Sequence, residues 1–354
     1  MRRGLMAWDA DEIPIAALKG RVQRLQTGMA AAGYDALILY TNFVRSAAVS
    51  YLTAFSPYWA DGVLLVPAHG EPLFATTLSK RVGNWIQTVK PVGDLVTSPT
   101  PGTVLAQRLA AGGDIRRVAI LERDDFPAGL YSEIASALPG VEIVDGTDVF
   151  AAARAQCDAV EQRLLGAAAR IAGEALGHLK FDVATDVGHA VGAVEQYARL
   201  QGAEETYVAI APDLDSDRRF LRLSGNRPLG RRFAIRATVA YKGAWVRRVQ
   251  TYSADPKDRS VIARADAWFN GVLARLDMRR PLGDQTASAI ADLSGAQLTH
   301  WIAEGPVGTR PLSAIASSEG PAQTDVRAPM TVLTLGLTID GMPWCGAGLA
   351  GVNR

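Results

Sequence analysis

Apolar residues recur at helical spacing from Ile15 to Ala32, at Leu18, Val22, Leu25 and Met29, and Gly33 follows where such a helix would stop. A short apolar run at residues 35–40 predicts a buried strand. Residues 62–67 predict a second strand, and residues 72–75 a third beyond the turn at His69-Gly70. The pattern returns at residues 118–121 and 141–144, with a helical stretch near residues 130–138 between them. Strands alternating with helices imply an α/β domain, a sheet with helices packed on its faces.

The broadest apolar stripe lies in residues 158–180, where Val160, Leu164, Leu165, Ala168, Ile171, Ala172, Ala175, Leu176 and Leu179 predict one long helix. Another helix is expected over residues 185–200, ending before Gly202. Strands are then expected at residues 206–211, 233–241, 245–252 and 330–339, with helices at 260–277 and 284–293 before the last of them. This second region reads as α+β. The boundary is placed at residues 151–156, giving domains 1–152 and 153–354. No short-period repeat or low-complexity tract interrupts either.

Composition narrows the function classes. A net charge of +1 supplies no global field for nucleic acid or a membrane surface. Cys157 and Cys345 are too few and too distant to form a disulfide framework or a zinc site, and read as thiols in a reducing compartment. The N-terminus is basic, but Asp9 and Asp11 arrive before any apolar segment, and no run approaches the roughly 20 apolar residues of a membrane span. A cytoplasmic protein is expected.

Chemistry concentrates in residues 233–252. With Lys242-Gly243 as a two-residue hairpin loop, Tyr241 faces Ala244, Thr238 faces Arg247 and Arg236 faces Val249. Arg236 and Arg247 then emerge on one face as diagonal neighbours. The opposite face carries Phe233, Ile235, Ala237, Val239 and Tyr241, a core pattern. Arg248 falls on that other side and reads as structural or exposed. Two close guanidinium groups repel unless a carboxylate or an anionic ligand lies between them. Arg218, Arg219 and Arg222 are expected to add to the cluster. The functional expectation is a cationic pocket, Arg219, Arg236 and Arg247 pairing a carboxylate- or phosphate-bearing small molecule, with Tyr207 and Trp245 as its walls. Two alternatives stand beside it: Asp213, Asp215, Asp217 and Glu304 neutralise the arginines as structural ion pairs, or the arginines form a solvated face. Tyr207 and Trp245 fit core packing equally.

His300 is a candidate acid/base, since imidazole titrates near neutrality, or else a hydrogen-bonded helix or core residue. Glu304 is a candidate base if Trp301 buries it, or else a surface ion pair. His69, His178 and His189 receive no role, and Ser313, Ser317 and Ser318 have no nearby base to make a nucleophile.

Several segments in order resemble the creatinase and Xaa-Pro aminopeptidase superfamily, the pita-bread enzymes. In the first half these are Arg24-Leu-x3-Met29-x3-Gly33-Tyr-Asp-Ala-Leu-Ile-Leu39, Asn42, Tyr51-Leu-Thr-Ala-Phe55 and Leu64-Leu-Val-Pro67. In the second they are the long helix, Gly202-Ala203, the strand from Tyr207, Leu229-Gly230, Tyr241-x-Gly243 and Met330-Thr-Val-Leu-Thr. The resemblance implies an α/β creatinase-like N-terminal domain and a shortened α+β pita-bread C-terminal domain. It also implies a homodimer.

Departures from the family pattern are systematic. A glycine expected in the Tyr-Leu-Thr-Gly-Phe segment is Ala54. By the resemblance, the two aspartate ligands fall on Arg236 and Arg247, eleven residues apart, and the substrate-side histidine near Arg218 or Arg219. The ligand histidine falls on Gly305, the first glutamate on Leu335 and the last near Ala347. Arginine has no lone pair to give a metal and does not deprotonate, so no metal cofactor is expected. Creatinase works without metal through a histidine, but that position too is changed.

The resemblance therefore implies a metal-independent enzyme on a small anionic substrate, by hydrolysis, elimination or isomerisation. Metal-less relatives occur in bacterial natural-product clusters, including lincosamide-type ones. A catalytically inactive binding or scaffold subunit is the alternative, and a normal peptidase under a different alignment the third.

Overall fold

The structure, a computed structural model, describes residues 8–56, 60–90, 92–179, 186–318 and 329–351. Lys180 and Thr185, expected to end one helix and begin the next, and residues 1–7 lie outside the described residues. The chain forms two compact units, one running to Val160 together with Gly308–Pro311, the other Glu161–Val307 with the chain from Leu312.

In the first unit, β1 (Ala36–Thr41), β2 (Gly62–Pro67), β3 (Leu73–Thr76), β4 (Asp94–Thr97), β5 (Arg117–Ile120) and β6 (Glu142–Asp145) make a six-stranded sheet ordered β4-β3-β2-β1-β5-β6. The β1–β2 and β2–β3 pairs are antiparallel and the others parallel. Strands β1 and β2 are covered on both faces, which is why they read as unbroken apolar runs rather than alternating ones. The helices are α1 (Ile15–Ala32), α2 (Ala47–Thr53), α3 (Gly83–Val89), α4 (Pro101–Ala110), α5 (Ala128–Ala137) and α6 (Thr147–Arg154). Leu105 and Leu109 of α4 and Ile134 of α5 share a core with Ile38, Val63 and Leu65 of the sheet. Helix α1 ends where the sequence said it would. Gly33 is left-handed (φ 69°), and the N–H groups of Gly33 and Tyr34 close back on Ala30 and Met29. Ala54 caps α2 in the same left-handed region, φ 54°, although it carries a Cβ.

The second unit opens with α7 (Ala159–Gly177) and α8 (Val187–Leu200), whose apolar stripes cover one end of one face of a seven-stranded sheet. Its strands are β7 (Glu205–Ala211), β8 (Arg232–Tyr241), β9 (Ala244–Ser253), β10 (Ala296–Gly305), β11 (Ser313–Ser317), β12 (Thr331–Ile339) and β13 (Met342–Ala350), ordered β11-β10-β12-β13-β9-β8-β7, every pair antiparallel. Between β9 and β10 run α9 (Pro256–Arg275) and α10 (Leu282–Ala291). Arg232 ties β8 to the start of α9 by a two-pronged pair with Asp258, 2.7 Å on each prong.

The α/β first domain and α+β second domain are as expected. Strands β10 and β13 were not. His300, expected in a helix or core, sits in β10 at a bulge. Strand β13 begins Met-Pro and holds two glycines, so its composition argues against a strand, yet it lies mid-sheet between β12 and β9. Its signal was Asp340-Gly341, both at positive φ (50° and 79°), the two-residue turn that reverses β12 into β13.

Candidate functional site

The β8–β9 turn is Lys242-Gly243, again with both residues at positive φ. The register is the one the sequence implied: Tyr241 opposite Ala244, Thr238 opposite Arg247, Arg236 opposite Val249. Phe233, Ile235, Ala237 and Val239 are buried under α7 and α8. Alternation therefore sends Arg236 and Arg247 to the face away from those helices.

One row across that face can be followed from strand to strand. Arg236 pairs with Val249, Val249 with Ala347, Ala347 with Thr334 and Thr334 with Ile302. The floor is thus made of small and apolar side chains. Val249, Ala347 and Cys345 pack there with Ala234 and the half-buried Phe220. Burial pushes the Cys345 thiol up to about 11, so it is no ready nucleophile.

Over this floor stand three arginines and one carboxylate. Arg247 ion-pairs with Glu304, which is buried. The Nε of Arg247 is buried with no hydrogen-bond partner among the described residues. Arg236 is half-buried, its guanidinium carbon 5.3 Å from the centre of the Phe220 ring. Among the described residues it makes no hydrogen bond and no ion pair. Burial, then the charge of Arg247, lowers its proton affinity from the ordinary arginine value; Glu304 opposes this and Arg222 adds to it. Arginine stays charged regardless, so the direction measures an unfavourable environment for the cation as it stands. Arg222 is exposed at the rim, 4.4 Å from the Tyr207 ring centre, and Tyr207 stacks on Trp245 at 5.5 Å and 12°.

The structure separates the other expected members. Arg219 is 81% exposed in its side chain and pairs with Asp217 at 2.9 Å, so it points to solvent rather than joining the cluster. Arg218 donates to Thr338 Oγ1 at 3.2 Å. Asp215 pairs with Arg232, and Asp213 accepts from Ser216, leaving Glu304 as the carboxylate that neutralises the cluster. His300 shares the face but stands four residues along β10 from Glu304, about 13 Å at strand rise, against Gly336.

Leu335 pairs with Trp301 and is buried on the helix side, while Thr334 stands on the site face opposite Ala347. Alternation likewise puts Glu304 on that face and turns Gly305 away from it. Thr334 was missed by sequence reading: a lone threonine in an apolar strand carries no motif. Its hydroxyl is buried without a hydrogen-bond partner.

The comparisons agree with this architecture. Residues 21–156 match the Creatinase/Prolidase N-terminal domain family. No curated protein sequence matches the chain. An Xaa-Pro dipeptidase from Bacillus anthracis superposes with a TM-score of 0.71 at 16% identity, covering 95% of this chain and 98% of its own. An X-Pro aminopeptidase from Thermotoga maritima MSB8 gives 0.65 at 14%, covering 93% and 96%, and a prolidase from Thermococcus sibiricus 0.64 at 14%, covering 94% and 93%. The fold is thus that of the pita-bread proteins. Residues 21–156 thus carry a creatinase/prolidase-type N-terminal domain, and the chain as a whole shares the fold of these solved peptidases.

Proposed function

We propose that this chain is a metal-independent enzyme of the pita-bread fold acting on a small molecule that bears a carboxylate or phosphate. One observation carries the reading: Arg236 is a partly buried cation with no ion pair or hydrogen bond among the described residues, facing two further arginines. Leaving such a charge unpaired is unfavourable, and an anion between Arg236, Arg247 and Arg222 would relieve it.

The solved relatives are named as peptidases, and the donor set here does not fit a divalent metal. Among the described residues no three His, Cys, Asp or Glu side chains converge on one point. The strand positions that would have to supply ligands hold Arg236, Arg247, Thr334 and Ala347. Guanidinium repels a dication and cannot ligate it.

Hydrolysis, elimination and isomerisation each need a group that moves a proton beside the bound anion. Glu304 is the titratable group within the cluster, and His300 lies further along the same strand. A second reading, a binding protein without turnover, is favoured by Glu304 being already engaged by Arg247. It predicts the same ligand class and no product.

Titration with inorganic phosphate and with acetate, followed by thermal unfolding, tests the binding. Wild type should be stabilised by at least one of them, and Arg236→Gln should lose most of that response while remaining folded. An unchanged response in the variant would remove Arg236 from the site and the reading with it.

A further inference from the structure

The ligand's second point of attachment is written in the same face, and this inference rests on the anion site just proposed. Thr334 is 9% exposed and its hydroxyl has no hydrogen-bond partner among the described residues. A buried hydroxyl left unpaired forfeits the hydrogen bonds it would make in water. Register places it on the face that carries Arg236 and Glu304, in one continuous row with Arg236. Ile302 pairs with Thr334 and Val332 with Glu304, so Thr334 and Glu304 are diagonal neighbours on adjacent strands, about 7–8 Å apart at the backbone. Arg236 lies within electrostatic reach of that same Glu304. The intervening floor, Val249 and Ala347, offers no polar group.

We infer that the ligand is bifunctional: its anionic group is held by Arg236, and a neutral hydrogen-bonding group a few bonds away, a hydroxyl or amide, is held by the Thr334 hydroxyl. A second anionic group is disfavoured there because Glu304 stands beside Thr334. Threonine suits the position because its hydroxyl donates and accepts, matching either group. Thr334 is accordingly a specificity-determining residue. Arg236 recognises charge, and Thr334 distinguishes a hydroxylated or amidated anion from a plain one.

Matched probes separate this from the site itself: butyrate against 4-hydroxybutyrate, and acetate against glycolate, titrated into wild type, Thr334→Val, Thr334→Ser and Arg236→Gln. A satisfied hydrogen bond of about 1 kcal/mol makes the better hydroxylated probe bind roughly fivefold tighter than its plain partner in wild type. Thr334→Val, which keeps the shape, should bring the two within twofold of each other, and Thr334→Ser should keep the preference. Arg236→Gln should weaken both probes together. Arg236-dependent binding with no hydroxyl preference in wild type, or a preference that survives in Thr334→Val, overturns the role of Thr334 and leaves the anion site standing. Probes that bind equally to wild type and Arg236→Gln overturn both.

Discussion

Arg247 on β9 reaches past two strands, β13 and β12, to form an ion pair with Glu304 on β10. The pair crosses the face on which Arg236 and Thr334 stand, and it supplies the carboxylate of a cluster that holds three arginines. Its removal should therefore act in two opposite directions. Glu304→Gln leaves Arg247 without its ion-pair partner, with side-chain exposures of 22% and 11% for the two partners, and should lower stability by about 2–4 kcal/mol. It also removes the competing negative charge, so phosphate should bind more tightly, by on the order of tenfold. Denaturant unfolding and phosphate titration on one preparation read both. Loss of stability with weakened phosphate binding would mean that Glu304 shapes the site rather than competes within it.

The β8–β9 hairpin was legible to the residue. Its loop length and a glycine fix the register, and the register fixes which side chains share a face. The helices of both domains were legible because their stripes are long. What escaped has a physical reason in each case. Strand β13 lies between two other strands, so Gly346, Ala347 and Gly348 need no β-forming side chain of their own to be held there. Arg219 was grouped with its neighbours because sequence nearness cannot show that Asp217, two residues earlier, turns it outward.

Ala54 occupies a left-handed position, φ 54° and ψ 19°, at the end of α2. An L-residue there carries roughly 1–2 kcal/mol of steric strain that glycine does not. Ala→Gly usually destabilises by raising the entropy of the unfolded chain, by about 0.4–1 kcal/mol. The two effects oppose, and strain is the larger. Ala54→Gly should leave stability unchanged or raise it by up to about 1 kcal/mol, read from urea unfolding. A loss of the usual size would show that the strain is relieved by packing around the Ala54 methyl, which is buried.

The Arg232–Asp258 pair fixes the acid limb of stability. Hydrogen bonds from Arg232, and then from Ser253, hold the Asp258 carboxyl down at about 2, against burial that works the other way. A depressed carboxylate contributes stability that is complete above its unfolded value near 3.9 and is lost as pH falls toward 2. Asp258→Asn should cost on the order of 2 kcal/mol at pH 7, and the gap to wild type should be about halved at pH 3 and nearly closed at pH 2. Unfolding curves at pH 7 and pH 3 check this. A gap that stays constant with pH would reduce the role of Asp258 to packing at the start of α9.

Glu204 should give the opposite slope. Its carboxylate accepts the N–H of Gly243 at 3.1 Å and so holds the β8–β9 turn that presents Arg236 and Arg247. Burial raises it to about 7, outweighing the N–H groups of Gly243 and Lys242 and the Lys242 charge, while Glu205 adds in the same direction as burial. For a group raised on folding, stability is fullest below the unfolded value, near 4.3, and declines as pH rises through the folded one. Wild type should therefore lose stability between about pH 4.5 and pH 7 through this group, by at most about 4 kcal/mol. Glu204→Gln keeps an oxygen for the Gly243 N–H and has no charge to bury, so its advantage over wild type should grow from pH 5 to pH 8. Urea unfolding of both proteins at the two pH values measures it. A difference that does not change between them would place the Glu204 carboxylate in water, with no hold on the turn.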